Sequence, residues 1–517
     1  MKKKKITAIL AASAMCMSMA GTGITVQASD VQREVINFAL SQDPGNLSPW
    51  GNTTTAAKIC YWGVYQPLGT ITDGKEDLIL LKNYEYSEDG LEMYCEIWDY
   101  IYDSDGNHIT ADDVKFSWDT GLELGGITGV TFVDSLEVTG DYTFTFHFNS
   151  TLTTGDSVGL FKWNVVSQAA YEASGDGMAV NPVGTGPYVI SDYVSGSGFT
   201  STLRDDYWQT DEYNSIVDGQ NVGTINWFII TESSQRTIAL QTGQVDICQD
   251  INSLDIAQFD EGGEYDDEYN IYGINEDMTL KLYPNCTSGA VTDDVNLRLA
   301  IFYAIDNETI LNSVYSGIGT AAHELMANWA TGYNSDWDTE DNYYNYDPEK
   351  AAEYLAQSNY NGEELVLIME NEEVKTNAAQ LIQVFLQQIG INVTLSTVES
   401  SSFGDYVVAG EWDLCLRARA FNIYVSDAWW GDLSEDRWGD QGSMNFVKDE
   451  TLQELIAASK ELDSTQEDLD TLHQYIIDNA YIYGIVNPYD QYVIPSDMTE
   501  VVTTFQLNII PGACSYE

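Results

Sequence analysis

Positive charge is scarce in this sequence. Of 517 residues only 21 are Lys or Arg, against 81 Asp or Glu, for a formal net charge of −60. Binding to nucleic acid or to anionic lipid needs Lys and Arg to neutralise phosphates, so both are excluded as functions. Histidine is scarcer still, with only His108, His147, His323 and His473. No two of them have a zinc-site spacing, and His323-Glu324 does not continue into HExxH, so no histidine-based metal centre is expected. The seven cysteines contain no CxxC. Cys95, Cys248 and Cys415 sit in apolar strand-like runs and read as buried free thiols rather than a disulfide framework. Beyond the N-terminus no apolar run approaches the ~20 residues of a membrane-spanning helix. Catalytic signatures are missing too. There is no GxSxG elbow, and Gly184-Thr185-Gly186 lacks both the third glycine of a dinucleotide fingerprint and the Lys-Ser/Thr of a P-loop. It reads instead as a tight turn that sets Tyr188 at a strand start. With 81 acids, no glycosidase carboxylate pair can be singled out by sequence. The chain is read as a non-enzyme with no cofactor and no metal.

The N-terminus is the exception to the basic scarcity. Lys2, Lys3, Lys4 and Lys5 precede an apolar stretch from Ile6 to Met19, and Val26-Gln27-Ala28 offers a small-x-small cleavage site, so residues 1–28 read as a secretory signal peptide. Cys16 follows Ser13-Ala14-Met15, without the Leu-like residue of a lipid-attachment signal, so export without a lipid anchor is expected. The remaining chain exceeds the ~250–300 residues at which a single core stops growing, which predicts at least two lobes. No linker or repeat separates them, so the lobes should be joined by strands that cross between them.

Local signals alternate between strand and helix. Phe144, Phe146 and Phe148 alternate as one face of a strand. Thr110-x-x-Asp113 resembles a capping box, Asp347-Pro348 an N-cap with proline at the first helical position, and Gly390 ends a helix bearing Leu381, Phe385 and Ile389. Asp103-Ser104-Asp105-Gly106-Asn107 opens like a calcium loop, but position 12 is Val114 rather than Glu, so a hairpin turn is expected. The acidic run from Asp260 to Glu268 reads as a solvated loop. Aromatics are abundant, with 13 Trp and 33 Tyr. Trp429-Trp430 stands in a polar, turn-rich setting, where aromatic faces either bind ligand or pack.

Several segments together resemble the large solute-binding proteins of ABC transporters that serve oligopeptides, dipeptides, nickel and some oligosaccharides (bacterial extracellular solute-binding protein family 5). They are Asp105-Gly106-Asn107-His108-Ile109-Thr110-Ala111-Asp112-Asp113-Val114, Gly184-Thr185-Gly186-Pro187-Tyr188, Arg204-Asp205-Asp206-Tyr207-Trp208, Gly243-Gln244-Val245-Asp246-Ile247 and the run from Asp293 to Asp306. They keep the family's order and spacing from about residue 35 to 490. The resemblance implies an α/β, two-lobed periplasmic-binding-protein-like fold of the large peptide-binding type, with a ligand cleft between lobes. It implies lobe I over residues 29–279 with an extra subdomain at about 75–183, lobe II over 280–485, and a return to lobe I over 486–517. It implies a monomer that captures a small solute by hinge closure and hands it to an ABC permease.

The resemblance also points at the ligand. In peptide-binding relatives the segment after the strand at Trp412-Asp413-Leu414 carries an Asp that pairs with the peptide's α-amino group. Here that position is Asn422, and the segment's Trp falls at Arg419. Candidate ligand contacts are therefore Arg417, Arg419, Phe421, Asn422, Trp429 and Trp430, with Asn285 and Trp50 added. A peptide leads. An oligosaccharide stacked on Trp429 or Trp430 is the alternative, and Arg417 with Arg419 leaves an anionic solute open. A secreted hydrolase or a structural surface protein are the remote readings.

Overall fold

The computed structural model describes residues 31–50, 62–72, 75–128, 130–152, 156–209, 215–249, 251–275, 278–326, 330–339, 342–420, 424–438, 445–461, 463–504 and 508–517. The signal peptide with Cys16, and also Cys60, Phe421 and Asn422, lie outside the described residues. Two large apolar cores form the protein. One gathers residues from Ile36 to Ile274 and again from Tyr492 to Tyr516. The other runs from Leu280 to Val486. A smaller cluster around Leu240, Phe259 and Tyr269 backs the first.

One strand joins the cores. Tyr483–Pro495 is 13 residues long, about twice a usual strand. Its first half pairs with Met278–Pro284 and Gly319–Ala321, while its second half pairs with Tyr269–Asn275 and Ile247–Gln249. The chain passes between cores a second time where Tyr269–Asn275 gives way to Met278–Pro284. On the lobe I side the sheet continues outward through Arg33–Leu40, Val222–Ile229, Gly198–Leu203 and Tyr188–Val194. On the lobe II side it continues through Leu414–Ala420, Glu364–Glu370 and Asn392–Val398. A separate four-stranded sheet, Leu81–Tyr86, Glu92–Ile97, Thr143–Phe148 and Val133–Gly140, packs onto the first core. Phe144, Phe146 and Phe148 are all buried there.

Local signals explain the element ends. Thr110 and Asp113 form the reciprocal capping box that starts the helix Ala111–Glu123. The Asp347 side chain accepts from the amides of Glu349 and Lys350, with Pro348 at the first helical position. The helix Glu373–Gln388 stops before Gly390, whose φ of +92° suits glycine alone. Its deepest residues are Ala378, Ala379, Ile382, Phe385 and Leu386, a stripe offset from the 381/385/389 spacing. Asp103 is a turn residue. Its carboxylate accepts from the amides of Asp105 and Asn107 and from the Asn107 side chain. The segment 184–188 is packing rather than phosphate binding: a Cβ on Gly184 would stand 2.1 Å from the Val64 carbonyl oxygen. Cys95, Cys248, Cys286, Cys415 and Cys514 are free and buried. Among the described residues no helix is long and apolar enough to cross a membrane.

Candidate functional site

The end of the lobe II sheet that faces lobe I carries an unusual density of buried polar groups. Strands Met278–Pro284 and Leu414–Ala420 run antiparallel, with Thr279 opposite Arg419, Lys281 opposite Arg417 and Tyr283 opposite Cys415. Directly opposed residues share a face, so alternation puts Thr279, Lys281, Tyr283, Arg417 and Arg419 on one side of the sheet. Leu280, Leu282 and Leu416 fill the core on the other side.

The helix Val425–Leu433 lies over the polar side and inserts Asp432 into it. Lys281 Nζ donates to Asp432 Oδ2 at 3.1 Å, Tyr283 Oη donates to the same oxygen at 3.1 Å, and Arg419 Nε donates to Oδ1 at 3.0 Å. Lys281 and Asp432 are both fully buried. Burial alone would raise the Asp432 carboxyl. The charges of Lys281 and Arg419, with the Lys281 and Tyr283 hydrogen bonds, outweigh it and hold the pKa below the usual carboxylate range. The neighbouring Tyr283 phenol is pushed well up by burial and by the Asp432 charge. Arg419 thus reaches the rim with its guanidinium braced from behind, at a quarter exposure of its side chain. Arg417 lies over the Phe403 ring, 5.5 Å from its centre.

A second polar chain follows the crossing strand. Thr279 Oγ1 donates to Asn487 Oδ1 at 2.5 Å, and Asn487 Nδ2 donates to Glu324 Oε1 at 2.5 Å. Glu324 is buried and close to Asp338, and its pKa rises to about 8, so it is protonated at neutral pH. Asn487 is the penultimate residue of the crossing strand on the lobe II side, since Tyr489 already pairs with Asn275 in lobe I. The crossing strand thus contributes a side chain to this polar chain.

The sequence-derived candidates divide. Arg417 and Arg419 stand at this junction, on one strand face. Three others lie elsewhere than expected. Trp429 has no exposed surface; it packs against Trp337 and His473 in the lobe II core. Trp50 is buried in lobe I against Phe116 and Tyr171, with its indole N–H on the Asn164 carbonyl. Asn285 is buried and spends its amide on the Gly410 and Trp412 carbonyls and the Thr287 amide. None of these three presents a free face to a ligand, because each is packed into its core. Trp430 is half-buried, with Lys460 Nζ 4.1 Å and the Arg437 guanidinium 4.8 Å from its ring. It lines a concavity of about 960 Å³ formed wholly by lobe II residues, among them Gln453, Ile456 and Glu461. Sequence reasoning missed Lys281, Asp432, Glu324 and Asn487. Lys281 had a usable signal: it is the one charge in an apolar strand of a lysine-poor chain.

These features coincide with known proteins. Residues 78–437 match the sequence profile of the Bacterial extracellular solute-binding proteins, family 5 Middle. The chain belongs to this family. A probable D,D-dipeptide-binding periplasmic protein of Escherichia coli is 23% identical over 484 residues, covering 89% of this chain and 90% of that one. The oligopeptide-binding protein AppA of Bacillus subtilis is 24% identical over 376 residues, 66% of this chain and 65% of that one. In three dimensions HbpA2 of Haemophilus parasuis superimposes with a TM-score of 0.80 at 20% identity, covering 94% of this chain and all of the other. AppA of Bacillus subtilis in complex with a nonapeptide superimposes with a TM-score of 0.63 at 16% identity, again over 94% of this chain and all of the other. The two-lobed architecture is thus that of the family 5 solute-binding proteins.

Proposed function

We infer that the protein is the exported receptor of an ABC importer, and that it captures a peptide between its lobes and passes it intact to the permease. The observation that carries this reading is the strand Tyr483–Pro495, whose first half pairs with strands of one core and whose second half pairs with strands of the other. Few backbone angles separate the cores, so an open and a closed form can exchange by hinge motion, and a solute touching both lobes favours the closed form. The peptide class is supported by relatives whose names record peptide binding. Burial of Trp429 removes one of the two stacking surfaces of the saccharide reading and leaves it Trp430. Export rests on the N-terminal Lys run and small-x-small site, and a single-chain receptor is the expected form.

The test is ligand-linked stability. Protein starting at residue 29, stripped of bound ligand by partial unfolding, is titrated with tri- to pentapeptides and with oligosaccharides. A ligand at ~100 times its dissociation constant should stabilise the native state by ~2.7 kcal/mol. Peptide shifts accompanied by a smaller radius of gyration in solution scattering support the reading. Shifts with saccharides alone reject it, and peptide cleavage during the titration would mark an enzyme instead.

A further inference from the structure

We propose that Arg419 is the residue through which lobe II selects a carboxylate of the ligand, and that Asp432 is its positioning residue. This rests on the peptide reading above and names the ligand group that the lobe II face takes. Arg419 is the penultimate residue of the strand Leu414–Ala420, which runs parallel to Glu364–Glu370. In open α/β sheets ligands bind outside the carboxyl ends of such strands. The same position lies at the passage between the lobes. Arg419 opposes Thr279, and Thr279 Oγ1 donates to Asn487. Two residues beyond Asn487, Tyr489 already pairs with Asn275 of lobe I.

The fold treats Arg419 differently from its structural arginines. Arg204, Arg236 and Arg298 are almost fully buried, and each turns a terminal guanidinium nitrogen onto backbone carbonyls. These are Asp103 for Arg204, Ile230 and Thr231 for Arg236, and Thr292, Asp293 and Asn479 for Arg298. Arg419 is anchored through Nε on a side chain, Asp432 Oδ1 at 3.0 Å, and about a quarter of its own side chain stays open to solvent. An Nε anchor fixes the guanidinium plane and with it the direction of the Nη edge. That planar edge can meet a carboxylate with two parallel N–H bonds.

The helix Val425–Leu433 leaves room beside the guanidinium. Gly431 lies inside this helix and is not one of the positive-φ glycines, so no left-handed backbone asks for it. Glycine inside a helix is less stable than alanine. Apart from its own helix, a Cβ at 431 would meet only Arg419 Nη2, at 3.7 Å. The residue is small where a side chain would crowd the guanidinium, not where the core is tight. Charge placement agrees. The strands Met278–Pro284 and Leu414–Ala420 put three cations, Lys281, Arg417 and Arg419, and no acid on this sheet face. They do so in a chain with 21 Lys or Arg against 81 Asp or Glu. A partly buried site is little screened, so a ligand carboxylate is attracted there and an ammonium repelled.

The experiment is calorimetric titration of the stripped protein with tri- to pentapeptides in matched pairs. One pair has a free or an amidated C-terminus, and the other has Glu or Gln within the sequence, so the terminal and side-chain sources of a carboxylate are told apart. In the unmodified protein, loss of one of these carboxylates should weaken binding about tenfold, the scale of one charge-assisted pair. Arg419→Gln should bring the acid form to the level of its neutral twin and leave the twin unchanged. Asp432→Ala combined with Lys281→Met keeps Arg419 and the net charge but removes the anchor, and should narrow the preference in part. Arg419→Lys, which keeps the charge and loses the planar fork, should do the same. An Arg419→Gln protein that still prefers the acid overturns the assignment, as does an unmodified protein indifferent to both carboxylates; the peptide reading survives both results. A double variant that weakens acid and neutral forms alike, or an Arg419→Lys protein with the full preference, overturns the positioning role of Asp432. If no peptide binds in any form, the peptide reading falls and the assignment falls with it.

Discussion

Two buried aspartates, one in each lobe, have opposite electrostatic fates. Asp432 in lobe II has Lys281 and Arg419 within hydrogen-bond distance and is held ionised, below the usual carboxylate range. Asp218 in lobe I is as deeply buried, but its partners are Gln66 and Tyr207, and the nearest charge is another acid, Asp77. Its pKa rises to about 7, driven by burial first and helped by Asp77. Burial is the same in both places. What differs is whether the chain spends one of its few cations, and it spends two at the lobe II face that looks toward the hinge. That allocation marks the junction as the place where fixed charge is needed.

The largest test of this contrast is Asp432→Ala. It removes the carboxylate that buried Lys281 and Arg419 share, and should cost about 3–5 kcal/mol in urea denaturation. Adding Lys281→Met should recover part of the loss, because it removes the buried charge that faced Asp432. No recovery would mean that Asp432 acts mainly through Tyr283 and Arg419.

Trp429 and Trp430 provide a comparison of similar size. Trp429→Ala should cost about 3–5 kcal/mol through a cavity beside Trp337 and His473. Trp430→Ala removes a half-buried ring with two cation contacts and should cost about 1–2 kcal/mol. Equal costs would refute the inward assignment of Trp429.

Asp218 makes a prediction in pH. Its folded pKa lies above the unfolded value, so the native state holds a proton that the unfolded state releases. Between the ordinary carboxylate value of 3.8 and about 7 this group makes stability fall as pH rises, with a limiting slope of about 1.4 kcal/mol per pH unit. Asp218→Asn should flatten that fall and make the protein relatively more stable at pH 8 than at pH 5, read from melting temperatures. A scan unchanged by the substitution would show that Asp218 is ionised in the fold.

The smallest expected effect has the opposite sign. Burial depresses His473 from 6.5 to about 4, and its Nε2 has no hydrogen-bond partner among the described residues. Over that window the unfolded state binds the extra proton, so His473 makes stability fall as pH drops. His473→Phe, which can keep the stack on Trp337 at 4.4 Å, should reduce this acid-side loss. If it does not, the imidazole is protonated in the folded protein.

Much of the architecture was legible in the residues. The capping residues Thr110 and Asp347 start helices as their spacing predicted, and the 184–186 turn and the Asp103 hairpin are structural. These signals are local: each depends on a side chain reaching a backbone group within a few positions. The site was less legible. Arg417 and Arg419 could be placed on one strand face by alternation, but Asp432, which braces Arg419, is 13 residues further on and arrives through the packing of a helix. Trp429, left open between ligand contact and packing by its polar neighbours, packs in the core, because a helix of period 3.6 turns one residue inward while the next remains at the surface.

The sequence by itself determined an acidic chain without metal or catalytic signatures, its family resemblance, and the local starts and stops of its elements, because those depend on composition and on contacts between near neighbours. Only the tertiary structure decided which buried acids keep their charge and which tryptophan is core. Each of these depends on strands and helices far apart in the chain packing together, where desolvation and charge act through space and leave no fixed spacing to read.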